Sequence, residues 1–356
     1  MPLCIGSARD KSADHSPSGR PVPGWRKAWL TAVSLASILL LIALAGCGDS
    51  PVKLAGDSTA APAACSGTSG TADNPTRTLL GVNATSPSQL STRSAQFGHI
   101  PILRIYYTGM PDPDLWTTGV QRLNHSAVVV SFRSPPSVVL SGADDAALAR
   151  FFDSAPSGNP IYWSYYHEPE LLVQDNSFTV DQYKAAWAHI VTIADGARNS
   201  YLKSTLILMS WDLNPASGIA WKDYLPSGHV ISVLAWDAYP AGTVHDSNPQ
   251  PTPPTDFMGA AEAASKSVGL PYGFAEFALG TATDRPQWLA EVATYLRQTG
   301  ALFGTLFDST GYPWMELTDA ASIQAWRSVV DCTTPTLPGS ATSPAHGEPS
   351  EREPGA

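Results

Sequence analysis

The sequence predicts a (β/α)8 (TIM) barrel, an α/β fold in which a closed parallel sheet is wrapped by helices, as a single domain. Three observations predict it. Short β-rich apolar runs recur eight times between Arg77 and Cys332. Stretches with helical periodicity separate many of them. The span is close to the ~250 residues typical of such a barrel.

The strands are read in order as Thr78–Asn83, Pro101–Tyr107, Ser126–Phe132, Pro160–His167, Thr205–Trp211, Val230–Trp236, Pro271–Phe277 and Ala301–Asp308. Each is nearly continuous in apolar residues, as expected for strands covered on both faces. Helix signals lie between them. Asp144–Phe152 carries acids in its first turn, where the helix dipole favours them. Asp181–Ala197 sets Tyr183, Trp187, Ile190, Val191 and Ala194 on one face. Asp256–Val268 is rich in alanine, and Pro286–Arg297 opens on proline with Gly300 as its C′ residue. Ala320–Val330 aligns Ile323, Trp326 and Val330. The competing open α/β sheet usually places a glycine-rich phosphate loop after its first strand. Here Ala84-Thr85-Ser86-Pro87 follows that strand instead.

Both ends of the 356-residue chain differ from this middle. Arg20, Arg26 and Lys27 precede an apolar run from Ala28 to Ala45, which ends in Leu44-Ala45-Gly46-Cys47. A basic region, an apolar region and a small-residue cleavage site make an export signal over residues 1–47. The Leu-Ala-Gly-Cys sequence resembles the lipobox of bacterial lipoproteins, which implies lipidation of Cys47 and a membrane anchor. An uncleaved transmembrane segment is the alternative, and either places the rest outside the cytoplasmic membrane. The expected location is the outer face of the cell membrane, or the medium. Residues 48–76 read as a flexible linker and 333–356 as a disordered tail, both poor in large apolar residues. Cys65 and Cys332 flank the domain and could form a disulfide in an oxidising compartment; sequence leaves the pairing open.

Charge narrows the function. Acidic residues number 31 against 21 basic, a net charge of -10. That argues against nucleic acid, whose phosphates need clustered cations. Histidines such as His99, His125, His189, His229 and His245 lack metal-ligand spacing, so no metal or other cofactor is expected. No Gly-x-Ser-x-Gly elbow marks a serine hydrolase. A neutral polymer fits better, and a monomer is expected.

A barrel carries its site at the C-terminal ends of its strands. There strand two delivers Tyr106 and Tyr107, strand four His167-Glu168-Pro169-Glu170, and strand five Trp211-Asp212. Strand six delivers Trp236-Asp237-Ala238-Tyr239, strand seven Glu276-Phe277, and strand eight Phe307-Asp308 with Trp314 beyond. The predicted rim is acidic and aromatic. A carboxylate inside an apolar strand, such as Glu276, is costly unless it is paired or hydrogen-bonded. Two carboxyl groups suit glycosidic bond cleavage, one as acid and the other as nucleophile or base. Aromatic faces suit sugar rings, and Trp236 and Trp314 are the favoured platforms. Asp212 and Asp308 fit either the site or a helix N-cap, with the cap favoured.

At these positions the sequence resembles the clan of retaining (β/α)8 glycoside hydrolases. His167-Glu168 after strand four and Ala275-Glu276-Phe277 on strand seven carry the likeness. The histidine before the first glutamate, and Asp237-Ala238-Tyr239, resemble glycoside hydrolase family 26, the β-mannanase family, in particular. The resemblance implies that Glu168 is the acid/base and Glu276 the nucleophile. It implies that His167 orients the sugar or the acid, that Tyr239 hydrogen-bonds the nucleophile, and that Asp237 braces the site. The chain departs from the family at Ser164, where an arginine is usual, and at Phe307-Asp308, where tryptophan is usual. The expected function is endo-acting, retaining hydrolysis of a β-linked, mannan-like polysaccharide. The alternatives are a surface lipoprotein that binds glycan without cutting it, and an enzyme that trims the cell's own exopolysaccharide.

Overall fold

The computed structural model describes residues 78–84, 86–111, 116, 126–228, 230–240, 250–280 and 283–331. Cys47, Cys65, Cys332, the export segment, the linker, the tail, and His125, His229 and His245 lie outside the described residues. Within those residues no helix is long and apolar enough to cross a membrane.

The strands are β1 (Leu79–Asn83), β2 (Ile102–Tyr106), β3 (Ala127–Phe132), β4 (Ile161–Tyr165), β5 (Leu202–Met209), β6 (Val233–Asp237), β7 (Tyr272–Phe277) and β8 (Phe303–Leu306). They close in sequence order into a parallel barrel, with β8 paired back onto β1. The predicted (β/α)8 fold is therefore present. The helices are α1 (Pro87–Phe97), α2 (Pro136–Leu140), α3 (Asp145–Asp153), α4 (Glu170–Gln174), α5 (Val180–Gly196), α6 (Pro254–Ser267), α7 (Arg285–Thr299) and α8 (Ala320–Asp331). Gly300 ends α7 in the left-handed conformation at φ 77°, as a glycine C-cap does.

Alternation along each strand divides the core in two. Side chains such as Val129, Tyr162, Ile207, Ala235 and Phe303 fill the barrel lumen. Their neighbours face the helices, where Trp163, Trp187, Trp236, Trp288 and Trp326 are fully buried. On α5, Tyr183, Trp187, Ile190 and Ala194 are buried as the periodicity predicts, while Val191 is half-buried at the edge of that stripe.

Three differences from the sequence reading bear on the site. Helix α1 follows β1, with Ser86 as N-cap accepting from Gln89 N and Pro87 in the first turn. Strand β5 spans Leu202–Met209, so Trp211 leaves the sheet in a 3-10 turn over Ser210–Leu213. Strand β4 stops at Tyr165, because Tyr166 and Glu168 take φ of 48° and 52°. Left-handed backbone at non-glycine residues costs ~1 kcal/mol or more each and persists where surroundings enforce it.

Asp308 is neither a helix cap nor a rim acid. It is fully buried and lies 2.9 Å from the Arg93 guanidinium of α1, while its Oδ1 accepts from Leu317 N. Its own N–H donates to Asn83 Oδ1 on β1. The seam where β8 meets β1 is fastened by these contacts. Asp319 takes the capping role instead, accepting from Ser322 N at the start of α8.

Candidate active site

Glu276 reaches the lumen through an irregularity in β7. Strict alternation from Phe274 would put Glu276 among the helices. Between β6 and β7, however, Trp236 pairs with Phe274 and Asp237 with Glu276, so β7 holds one residue more than its partner. Ala275 packs in the inner cluster, and Phe277 packs outward against Trp288 and Trp326. This is a β-bulge, a device that re-aims a side chain, and here it aims Glu276 inward.

Both oxygens of Glu276 face donors. Tyr239 Oη donates to Oε2 at 2.7 Å, and an Arg104 guanidinium nitrogen lies 3.7 Å from Oε1. Arg104 is fully buried on β2 and is fixed by donating to Ser131 Oγ and Ile105 O. Its guanidinium also sits 4.1 Å from the Tyr106 ring centroid, within cation–π range. Burial and the neighbouring Glu276 charge push the Tyr106 and Tyr239 hydroxyls well above their ordinary range, so both keep their protons and can donate.

Glu168 stands in a different setting. It is partly exposed, and its N–H donates to Ile207 O of β5. Burial of the carboxyl and then the charge of Glu276 push its pKa up to about 7, against the opposing pull of Arg133 and Arg104. Glu168 therefore carries its proton for much of the time near neutral pH. The two glutamates lie at the ends of β4 and β7 and are close enough for one charge to shift the other.

His167 is buried beside them, with its ring 5.7 Å from that of Tyr106. Arg133 Nη2 lies 3.2 Å from His167 Nε2. A guanidinium only donates, so Nε2 must accept and Nδ1 must carry the proton. Burial and the two nearby arginines lower the histidine pKa, so the ring is neutral. Asp237 is buried beneath the site, and no donor reaches either of its oxygens among the described residues. Burial, followed by the charges of Glu276 and Glu168, raises its pKa far above the ordinary carboxylate range.

The aromatic expectations divide. Trp236 is a correction: it is fully buried, and its indole N–H donates 2.9 Å to Ser265 Oγ of α6. It faces the helix layer because its strand neighbour Asp237 faces the lumen. Trp314 is half-buried in the loop after β8, edge-on to Tyr312. Tyr312 in turn meets Phe307, whose ring packs edge-on against Tyr106 and Tyr239. Phe307 thus forms the apolar wall at the end of β8.

Arg104 and Arg133 were missed by the sequence reading. The usable signal was a cation in or just after an apolar strand, the same signal that singles out Glu276. Arg133, just after β3, places a guanidinium beside His167.

Behind Glu168 lies a second acidic pair. Glu170 is fully buried, and its Oε1 accepts from Met209 N at 3.2 Å. The Asp212 carboxyl lies near enough to raise the Glu170 pKa, and Glu170 Oε2 and both Asp212 oxygens have no hydrogen-bond partner among the described residues. Two buried neighbouring carboxyl groups repel each other unless one holds a proton. Burial and Asp212 push the Glu170 pKa up to about 10. The unfolded chain releases the same proton near the ordinary glutamate value of about 4.5. Between those values the folded state binds more protons, so stability falls as pH rises. Glu170→Gln keeps the shape and can still accept from Met209 N without titrating. Its melting temperature, followed from about pH 5 to about pH 9, should therefore decline less than that of the wild type. Parallel declines would show that Glu170 does not hold the proton.

Among the described residues, no group of three or more His, Cys, Asp or Glu side chains is placed to hold a metal ion.

No protein-family model matches the sequence, and no curated protein matches it. Solved structures do match the fold. The catalytic domain of the family 26 endo-β-1,4-mannanase of Bacillus sp. JAMB-750 superposes with a TM-score of 0.50 at 12% identity, covering 72% of this chain and 86% of that one. The family 26 domain of a Prevotella bryantii endo-β-mannanase/endo-β-glucanase gives 0.49 at 12% identity, covering 72% and 90%. The endo-1,4-β-mannanase of Rhizomucor miehei gives 0.49 at 11% identity, covering 72% and 95%. At these identities the likeness is one of fold, and the Bacillus domain carries it: this chain shares the barrel architecture of a family 26 mannanase catalytic domain.

Proposed function

We propose that the protein is a retaining glycoside hydrolase acting within a β-linked polysaccharide, with Glu276 as nucleophile and Glu168 as acid/base. The observation that carries the reading is the pairing of two glutamates in opposite settings. Glu276 is held between a hydroxyl and a guanidinium. Glu168 is pushed up to about 7 by burial and by the charge of Glu276. A carboxyl held protonated towards neutral pH suits the acid role, and a second one held by donors beside it suits the nucleophile.

In the first step a Glu276 oxygen bonds to the anomeric carbon as the glycosidic C–O bond breaks. Glu168 gives its proton to the departing oxygen. Esterified Glu276 no longer carries a charge, so its share in raising the Glu168 pKa disappears while that of burial remains. Glu168, now ionised, takes a proton from water as that water attacks the anomeric carbon and releases Glu276. The arrangement therefore switches Glu168 from acid to base at the step where each form is needed.

The Bacillus protein is an endo-β-1,4-mannanase, so a β-1,4-mannan is the first substrate to try, followed by β-glucans, xylans and bacterial exopolysaccharides. The experiment incubates the full chain with each polymer and measures reducing ends, then reads the anomer of the fresh product by NMR. Release of the β-anomer supports double displacement. First release of the α-anomer would mean single displacement, with a carboxyl separation nearer ~6.5–9.5 Å than ~5–5.5 Å. A folded protein that releases nothing but is retained by a polymer would make this a glycan-binding barrel. The export sequence motivates a second part of the proposal, anchorage at the outer membrane face through lipidated Cys47. Membrane-bound protein whose Cys47 carried no lipid by mass spectrometry would overturn it.

A further inference from the structure

The exposed apolar side chains of the rim are concentrated beside the proposed acid. Leu171 and Trp211 are 54% and 55% exposed, the highest values among the large apolar residues described. Five other tryptophans, Trp163, Trp187, Trp236, Trp288 and Trp326, are completely buried. An indole left more than half in water forgoes much of the burial that these gain.

The local structure is built to hold these side chains out. Leu171 follows Glu170 in sequence, and Trp211 precedes Asp212. Those two carboxyl groups are the buried pair, which lies where the loop after β4 meets the turn after β5. Two backbone donors make the join, Glu168 N to Ile207 O at 3.1 Å and Met209 N to Glu170 Oε1 at 3.2 Å. A surface fixed in this way loses little entropy when it binds.

We propose that Trp211, with Leu171, forms a platform for a pyranose ring on the leaving-group side of the cleft. The inference rests on the hydrolase reading above. Its side follows from the chemistry. Glu168 must point at the glycosidic oxygen, whose far side carries the departing sugar. The acid's own loop and the turn tied to it therefore border that sugar. Glu276, Tyr239 and Arg104 border the sugar that is attacked. A tryptophan face suits the C–H face of a pyranose.

The test compares Trp211→Ala with wild type on two substrates: the β-linked polymer that the wild type cleaves, and an aryl β-glycoside of the same sugar, which places no sugar beyond the scissile bond. Loss of one stacking contact is expected to lower kcat/KM on the polymer by about tenfold and on the aryl glycoside by less than about twofold. Trp211→Phe should recover most of the difference. Equal losses on both substrates, or no loss on either, would overturn the platform alone. Absence of polymer cleavage by the wild type would instead overturn the hydrolase reading on which it rests.

Discussion

Glu276→Ala is expected to abolish polymer hydrolysis, lowering kcat by about 10⁴- to 10⁶-fold while leaving the protein folded. The large effect follows from the step involved. Without the carboxylate no covalent intermediate forms, and the tyrosine and arginine that held it face an empty space. A small anion such as azide fits that space and approaches the sugar from the face that Glu276 used. The product should then be the α-glycosyl azide. Azide supplied to Glu168→Ala should enter on the opposite face, after the glycosyl-enzyme has formed, and give the β-glycosyl azide. The two products, separated by NMR, assign the two roles independently of rate. A β-azide from the Glu276 variant would show that the assignment is reversed.

Glu168→Gln is expected to lower kcat on polymer by about 10²- to 10⁴-fold, the usual contribution of a positioned acid. Its signature is selective. An activated aryl leaving group needs no proton, so the first step on a dinitrophenyl glycoside should proceed near the wild-type rate and the second should become limiting. A burst of dinitrophenol followed by slow turnover would be seen in stopped flow. The pH profile gives a second reading. The acid form of Glu168 is consumed as pH rises through about 7, so wild-type activity should fall over that range, and the variant should lose that limb. Removing the neighbouring charge lowers a carboxyl pKa, so Glu168 in Glu276→Gln should titrate lower than in the wild type. An unchanged value would mean that the two groups do not interact.

Much of the barrel was legible because its strands are short runs such as Ala-Val-Val-Val-Ser-Phe, bounded by turns. Glu276 was legible because a charge in such a run needs a partner. The arginines that partner it and His167 carry the same signal. The errors have local causes. Trp236 was placed on the rim as though adjacent strand residues could share a face, yet Asp237 facing the lumen forces its neighbour outward. The buried pair of Glu170 and Asp212, and the exposure of Trp211 beside it, depend on how the loops after β4 and β5 meet, which residue spacing does not report. The left-handed Tyr166 and Glu168 were invisible for a similar reason, since tertiary contacts impose that backbone on residues that do not favour it. Helix α1 was announced by a Ser-Pro pair at its start, a signal present in the sequence and unused.

The extra residue in β7 also has a genetic consequence. In a regular strand, loss of one codon reverses the face of every side chain beyond it. Loss of Ala275 would instead remove the bulge and leave Glu276 opposite Asp237, still directed inward, with Phe277 still outward. Lineages descended from a common ancestor could therefore differ in length by one at this point and align poorly there while keeping the same carboxylate in the same place. Alignments that forbid a gap inside a strand would score such relatives as lacking the residue that unites them.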